Sequence, residues 1–356
     1  MDMNVKISLC MIVKNEEDVI ARCLRSVARY VDEIIIVDTG STDNTKEVCG
    51  QFTDKIFDFE WIDDFAAARN ISFSKAAGDY LMWLDADDVI SEENAARLSA
   101  LKERLAETAP DVVMSRYVTS SDENGEPVFS FFRERLLKRT ANFRWEGFIH
   151  ECIAPRGKIV YSDFTVHHRK ERNAGDRNLR IFQKKISQGV RLDARSAFYY
   201  GRELFYNKMY TESAAVLERA IDMGLKNNLN EACLFLFDSY NALGETQKAM
   251  LALFKSLEKG TPRADILCKL AGVFKSRRDY ETAAFWYEAA TKCSDLTKRG
   301  EFDRSEYRTV IPFIELSCCY FYMGDKQRAS VFHEKAKALR PNHPSVVFNE
   351  KFFGGQ

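Results

Sequence analysis

The chain has 356 residues, more than one domain of ~100–200 residues holds, so two domains are expected. Hydrophobic residues make up 46% and charged residues 29%, and 17 glycines with 7 prolines are too few for a fibrous or mainly disordered chain. The net charge of −1 supplies no global pull toward nucleic acid or an anionic membrane, and no apolar run approaches the ~20 residues of a membrane helix. A cytoplasmic protein without nucleic-acid partners or a transmembrane segment is expected. The 9 cysteines contain no C-x-x-C pair, and Cys318 and Cys319 are adjacent, so a structural zinc or a disulfide framework is not expected.

Ile7–Val13 is a nearly continuous apolar run, the pattern of a strand buried on both faces. Ile20, Cys23, Leu24, Val27, Ala28 and Val31 then follow helical spacing. Glu33–Asp38 carries four β-branched residues and predicts a second buried strand. Gly40-Ser41-Thr42 turns the chain into a helix reaching about Cys49, with Ser41 or Thr42 as its cap. Lys55–Phe59 is a short strand, Phe65–Ala77 a helix stopped by Gly78, and Tyr80–Leu84 a fourth strand running into Asp85-Ala86-Asp87-Asp88. This alternation predicts a parallel, Rossmann-like α/β sheet with its ligand crevice beyond the carboxyl ends of the strands. Residues 91–107 read as a helix. Val112–Tyr117 and Val128–Phe132 bracket Asn124-Gly125, a hairpin signal, and Ile159–His167 is another strand. Mixed β-structure thus reaches about residue 170, and 171–195 reads as a linker helix.

From residue 196 to about 345 the pattern is helical and it repeats. Tyr210-Thr211-Glu212-Ser213-Ala214, Glu245-Thr246-Gln247-Lys248-Ala249, Tyr280-Glu281-Thr282-Ala283-Ala284 and Asp325-Lys326-Gln327-Arg328-Ala329 end in alanines 35, 35 and 45 residues apart. The longest gap contains a polar insert near Ser294–Ser305. A period near 34 with helix–turn–helix content resembles tetratricopeptide repeats. Residues 346–356 read as a tail.

The chemistry is concentrated in the first domain. Asp85, Asp87 and Asp88 at a strand end form a hard-oxygen cluster suited to Mg²⁺ or Mn²⁺. A departing nucleoside diphosphate needs such an ion, because negative charge develops on it as its bond to a sugar breaks. No G-x-x-x-x-G-K-[ST], G-x-G-x-x-G or G-x-S-x-G occurs, which leaves P-loop, dinucleotide and hydrolase chemistries without support.

Four blocks occur together: Ile7–Glu17 with Lys14-Asn15-Glu16-Glu17, Ile36-Val37-Asp38-Thr39-Gly40-Ser41-Thr42, Phe65-Ala66-Ala67-Ala68-Arg69-Asn70, and Leu84-Asp85-Ala86-Asp87. In this order and spacing they resemble inverting family 2 glycosyltransferases of the GT-A fold over roughly residues 5–170. The repeats extend the likeness to a subgroup that includes sublancin-type peptide S-glycosyltransferases. The resemblance implies that Asp38, with Val13 at the end of the first strand, meets the uracil and ribose, and that Arg69 approaches the nucleotide or its diphosphate. It implies that Asp85 touches the ribose or a metal-bound water and that Asp87 holds the ion. Gly40 and Asn15 shape the loops. Arg69 has a simpler reading as an exposed helix cation with a salt-bridge partner.

The stretch Gly147-Phe148-Ile149-His150-Glu151 matches the family's Gly-x-x-His-Glu segment. Inversion needs one general base opposite the leaving group, with Glu151 as first choice and His150 as second. The resemblance implies that a late histidine completes the metal shell, as is common in GT-A enzymes. His167 and His168 end a strand and point to opposite faces, so at most one reaches the ion, and His168 is favoured. The expectation is a metal-dependent (Mn²⁺ or Mg²⁺) inverting transferase that takes a sugar from a nucleotide-sugar, a UDP-sugar by resemblance. Its acceptor is a peptide or protein held partly by the repeats, which also leave room for a homodimer. The rivals are transfer to a glycan or lipid-linked sugar, and a catalytically inactive repeat adaptor.

Overall fold

A computed structural model describes residues 5–121, 125, 127–169, 175–258, 262–294 and 303–353. The chain divides into two compact units, Met1–Lys185 and Ile186–Gln356.

In the first unit β1 (Ile7–Val13), β2 (Glu33–Asp38), β3 (Ile56–Asp58) and β4 (Tyr80–Trp83) are parallel, joined through α1 (Ile20–Val27), α2 (Thr45–Gly50) and α3 (Phe65–Lys75). After the short β5 (Asp88–Val89) come α4 (Glu92–Thr108), β6 (Val112–Ser121), β7 (Pro127–Lys138), β8 (Ile159–His168) and α5 (Arg177–Ser187). The sheet order is β3-β2-β1-β4-β7-β6-β8-β5, with β7 antiparallel to β4 and β6. The alternation of strand side chains explains why both faces are covered. Ile7, Leu9 and Met11 of β1 pack with Ile20, Cys23, Leu24 and Val27 of α1, whereas Cys10 joins Leu81, Trp83 and Leu137 against Ala66 and Phe73 of α3. Each such fully buried aliphatic side chain contributes roughly 1.5–3 kcal/mol.

Two local expectations are corrected. α2 begins at Thr45, and Asp43 rather than Ser41 or Thr42 steadies its start by accepting from Thr45 N at 3.0 Å. Ser41 and Thr42 instead tie the loop after β2 to the loop after β1: Asn15 N donates to Ser41 Oγ at 3.0 Å, and Thr42 N donates to Asn15 Oδ1 at 2.7 Å. α3 ends at Lys75, so Gly78 is not its cap. A Cβ on Gly78 would stand 2.9 Å from Ser8 N and 3.0 Å from Lys6 O, so glycine is there because β1 passes too close for a side chain.

Asn124 of the expected hairpin turn lies outside the described residues, as do 170–174 at the start of the expected linker helix and 295–302 of the polar insert. The division between units falls after Lys185, within α5.

The second unit consists of helical hairpins: α6 (Ala194–Tyr206) with α7 (Tyr210–Asp222), α8 (Leu229–Ala242) with α9 (Thr246–Ser256), α10 (Ala264–Ser276) with α11 (Tyr280–Thr291), and α12 (Val310–Tyr322) with α13 (Lys326–Leu339). The recurring Ala214, Ala249, Ala284 and Ala329 are all buried, small residues where the second helix of each pair meets its neighbours. A Cβ on Gly201 would meet Leu217 Cγ at 2.7 Å, the same close approach seen from α6. Pro344–Phe353 forms a last helix, α14, in the stretch read as a tail.

Candidate active site

A cavity of about 610 Å³ opens beyond the carboxyl ends of β1 and β4, within the ~300–1,000 Å³ of small-ligand sites. Val13, Asn15 and Thr39 line one side, and Arg69, Asp85, Asp87, His150, Glu151 and His168 line the rest.

Arg69 sits on the buried face of α3, a helix capped by Asp64, whose side chain accepts from Ala67 N at 2.9 Å. Its Nη2 donates to Asp85 Oδ1 and its Nε to Glu151 Oε1, both at 2.6 Å. The guanidinium lies 4.8 Å from the ring centre of Trp145 and 5.3 Å from that of Trp83. Burial alone would raise the Asp85 carboxyl, but Arg69 overrides it and holds that group at about 2. Burial likewise opposes charge on Arg69, and the two carboxylates push its pKa up instead.

His150 and Glu151 are delivered by a short excursion after β7. Glu146 and Cys152 exchange backbone hydrogen bonds at 2.9 and 3.0 Å, and Gly147 takes φ +92° between them. The side chain of Asn70 holds this excursion to α3, donating to Trp145 O at 2.9 Å and accepting from Trp145 N at 3.0 Å. Trp145 in turn packs edge-on to Trp83 with centroids 5.0 Å apart. His150 adopts φ +51°, a left-handed conformation that turns the backbone just before Glu151.

The carboxylates after β4 divide their work. Asp87 Oδ1 and Asp88 Oδ1 each lie 3.2 Å from His168 Nδ1, brought together because β5 and β8 pair Asp88 with His168. Burial alone would lower the His168 imidazole, but hydrogen bonds to Asp87 and Asp88 push it up to about 10. His167, held down by burial and by Arg169, pairs opposite Val89. Asp87, Asp88 and His168 offer ligand atoms all within 4.8 Å of one another, an oxygen and imidazole set that fits Mn²⁺ or Mg²⁺.

Asp85 lines the cavity and is engaged with Arg69, outside the carboxylate–imidazole group. Asp38 is 1% exposed and is not part of the cavity lining. Its Oδ1 accepts from Gly40 N and Ser41 N at 2.9 Å, while Oδ2 is buried with no partner among the described residues. Thr39 lines the cavity instead. Arg69 is a buried hub between two acids at the cavity wall, not an exposed helix cation. Sequence reasoning passed over Arg133, which lines the cavity 4.7 Å from the Trp83 ring, and Arg135 and Tyr117 beneath Asp88. The one local sign was Arg133-Glu134-Arg135, three consecutive charges between the apolar pairs Phe131-Phe132 and Leu136-Leu137.

Residues 8–161 match the profile of the family described as Glycosyl transferase family 2. A TPR repeat-containing protein of Synechococcus elongatus is 32% identical over 148 residues, covering 42% of this chain and 35% of that protein. The SPbeta prophage-derived glycosyltransferase SunS of Bacillus subtilis is 26% identical over 230 residues, covering 61% of this chain and 54% of that protein. The chain therefore spans between about a third and about half the length of these curated relatives. The crystal structure of S. aureus TarS 1-349 superimposes with a TM-score of 0.40 and 13% identity, covering 72% of this chain and 93% of that one. The stretch of this chain that is similar to glycosyl transferase family 2, residues 8–161, carries most of the residues that line the cavity, and paired helical hairpins follow it in the second unit.

Proposed function

We propose that the protein is a metal-dependent inverting glycosyltransferase that moves a sugar from a UDP-sugar to a side chain of a peptide or protein. The observation that carries this reading is the meeting of Asp87 and His168 with the Asp85–Arg69–Glu151 chain in one cavity at the carboxyl ends of the parallel strands. Asp87 and His168 would hold the cation, whose chemistry is to offset charge on the departing diphosphate. The nucleoside would lie against Val13 and Thr39. Glu151 would take the acceptor's proton. Its Oε1 is committed to Arg69, so the working oxygen is Oε2. Arg69 fixes that carboxylate and Asp85 at once, and Trp83 and Trp145 keep water from the guanidinium between them.

The acceptor would be read by the repeats, where Phe237, Asn241, Lys269, Tyr287, Tyr307 and Glu315 line a second cavity of about 420 Å³. Stacked helical hairpins of this kind make extended surfaces suited to a peptide. The direct test is a panel of nucleotide-sugars, each added with Mn²⁺ while the melting temperature is followed, since a ligand of the native state raises it by mass action. A UDP-sugar should give the largest rise and be turned over with inversion when a peptide acceptor is supplied. A panel in which no UDP-sugar shifts the midpoint would reject the donor assignment.

A further inference from the structure

Beneath the cavity floor lies a buried polar cluster that the proposed chemistry does not use. Asp88 is 0% exposed, and so is Arg135 from β7. A carboxylate has about four acceptor sites, and at Asp88 four donors converge. Tyr117 OH at 2.8 Å and His168 Nδ1 at 3.2 Å meet Oδ1, while Asp85 N at 3.0 Å and Arg135 Nη1 at 3.3 Å meet Oδ2. Arg135 is itself clamped, with its guanidinium carbon 3.8 Å from the ring centre of Trp83 and 4.4 Å from that of Tyr117, and Nη1 donating to Trp83 O at 3.0 Å.

Although its carboxylate lies within 4.8 Å of the ligand atoms of Asp87 and His168, a residue so fully engaged would have to give up one of these donors to take a cation itself. We propose that Asp88 is a positioning residue rather than a ligand: it holds the His168 imidazole through Nδ1, where Asp87 Oδ1 also stands at 3.2 Å, and so fixes the ring for a divalent cation taken by Asp87 and His168. Arg135 and Tyr117 hold the Asp88 carboxylate in place from below. The Asp85 amide bonded to the same carboxylate ties the loop carrying Asp85 and Asp87 to the imidazole. Metal-bound histidines commonly donate their other ring nitrogen to a carboxylate, which sets both tautomer and ring direction. The inference rests on the metal reading above and assigns Asp88 a role other than ligand within it.

The test is Mn²⁺ binding to the full chain, followed by electron paramagnetic resonance for the wild type, Asp88→Asn, His168→Ala and the double variant. The wild type should show ¹⁴N coupling from a coordinated imidazole, and His168→Ala should lose it. Asp88→Asn should weaken Mn²⁺ binding about 10–100-fold and lose or alter that coupling. The double variant should bind no more weakly than His168→Ala alone, because Asp88 acts through His168. Additive losses, or an Asp88→Asn protein with wild-type affinity and unchanged coupling, would overturn the proposal while leaving the metal reading intact. A wild type that binds no Mn²⁺ would remove the metal reading and this inference together. Circular dichroism checks the fold. If Asp88→Asn does not fold, Asp88→Glu, which keeps a charge opposite Arg135, takes its place in the same cycle, where non-additive losses support the proposal and additive ones overturn it.

Discussion

Arg69 and Glu151 lie 82 residues apart in sequence and 2.6 Å apart in space. The same guanidinium reaches Asp85 at 2.6 Å, so one side chain joins the end of β4 to the excursion that follows β7. Both walls of the cavity are thereby set by a single buried cation. Such a pair adds little net stability over an apolar substitute, but breaking it by removing one partner leaves an unpaired charge and costs about 3–5 kcal/mol.

Arg69→Lys tests this hub. Lysine carries a point charge on a flexible stem and lacks the planar fork that serves two carboxylates at once. Misplacing Glu151 by about an ångström should lower kcat by ~10², with donor affinity much less affected. Steady-state kinetics and a melting curve read both effects. A variant with wild-type kcat would show that Glu151 works without this anchor.

Chelation tests the cation. EDTA should abolish transfer, and Mn²⁺ or Mg²⁺ should restore it. Asp87→Ala should lose metal-dependent donor binding yet keep its far-ultraviolet dichroism. Asp87 is only partly buried, so the fold does not depend on it. Undiminished turnover of Asp87→Ala in chelator would remove the metal from the mechanism.

Much of this arrangement is legible in the chain. Ile34–Val37 can only be a strand buried on both faces, and four carboxyl-proximal blocks in order define the sheet and its crevice. The limits are equally physical. Asp38 sits at the predicted strand end, but the turn after it needs a backbone cap, and Gly40 N and Ser41 N take that carboxylate. Asp85 and Asp87 are two residues apart and look equivalent. They differ because Arg69 reaches one and His168 the other, and both partners come from distant elements. Arg135 gave no periodic signal, since its partners Trp83 and Asp88 are 52 and 47 residues away. Local pattern finds elements, and long-range pairing decides which acid does what.

The repeats carry their own ionic cluster, and it predicts a pH dependence. Glu231 is buried and accepts from Arg304 at 2.8 Å and pairs with Arg263 at 2.7 Å. Burial alone would raise its carboxyl, but the hydrogen bond from Arg304 and the charge of Arg263 hold it at about 2, below the ordinary 4.5. A depressed carboxyl contributes stability that is present above pH 4.5 and is lost as the pH falls through about 2. Urea unfolding of the wild type and of Glu231→Gln should differ by on the order of 3 kcal/mol between pH 7 and pH 4.5. The gap should close toward pH 2. A gap independent of pH would mean that the ion pairs are not its source.

The cavity of the repeats predicts a separation of acceptor from donor effects. Asn241 is exposed at its wall, so Asn241→Trp should fill the space without disturbing a packed core. The acceptor KM should rise about tenfold, equivalent to ~1.4 kcal/mol, while slow hydrolysis of the donor stays unchanged. Equal loss in both reactions would place the acceptor elsewhere.

The sharpest prediction separates Glu151 from His150 as the base. Glu151→Gln keeps the size of the side chain and an oxygen for Arg69 Nε, but it cannot take a proton. The value of kcat should fall by ~10²–10⁴, the usual worth of general-base catalysis. Donor affinity should barely change, because Glu151 stands on the acceptor side of Arg69 in this reading. His150→Asn should be milder, since asparagine tolerates the left-handed backbone that His150 adopts at φ +51° and an imidazole that only guides the acceptor is partly replaced by an amide. The pH dependence then reports the acceptor. A thiol with a pKa of ~8.5 ionises without help, so raising the pH should partly rescue Glu151→Gln on a cysteine peptide. A serine or threonine hydroxyl should show little rescue. Near-wild-type turnover of Glu151→Gln at pH 7 beside an inactive His150→Asn would reverse the assignment.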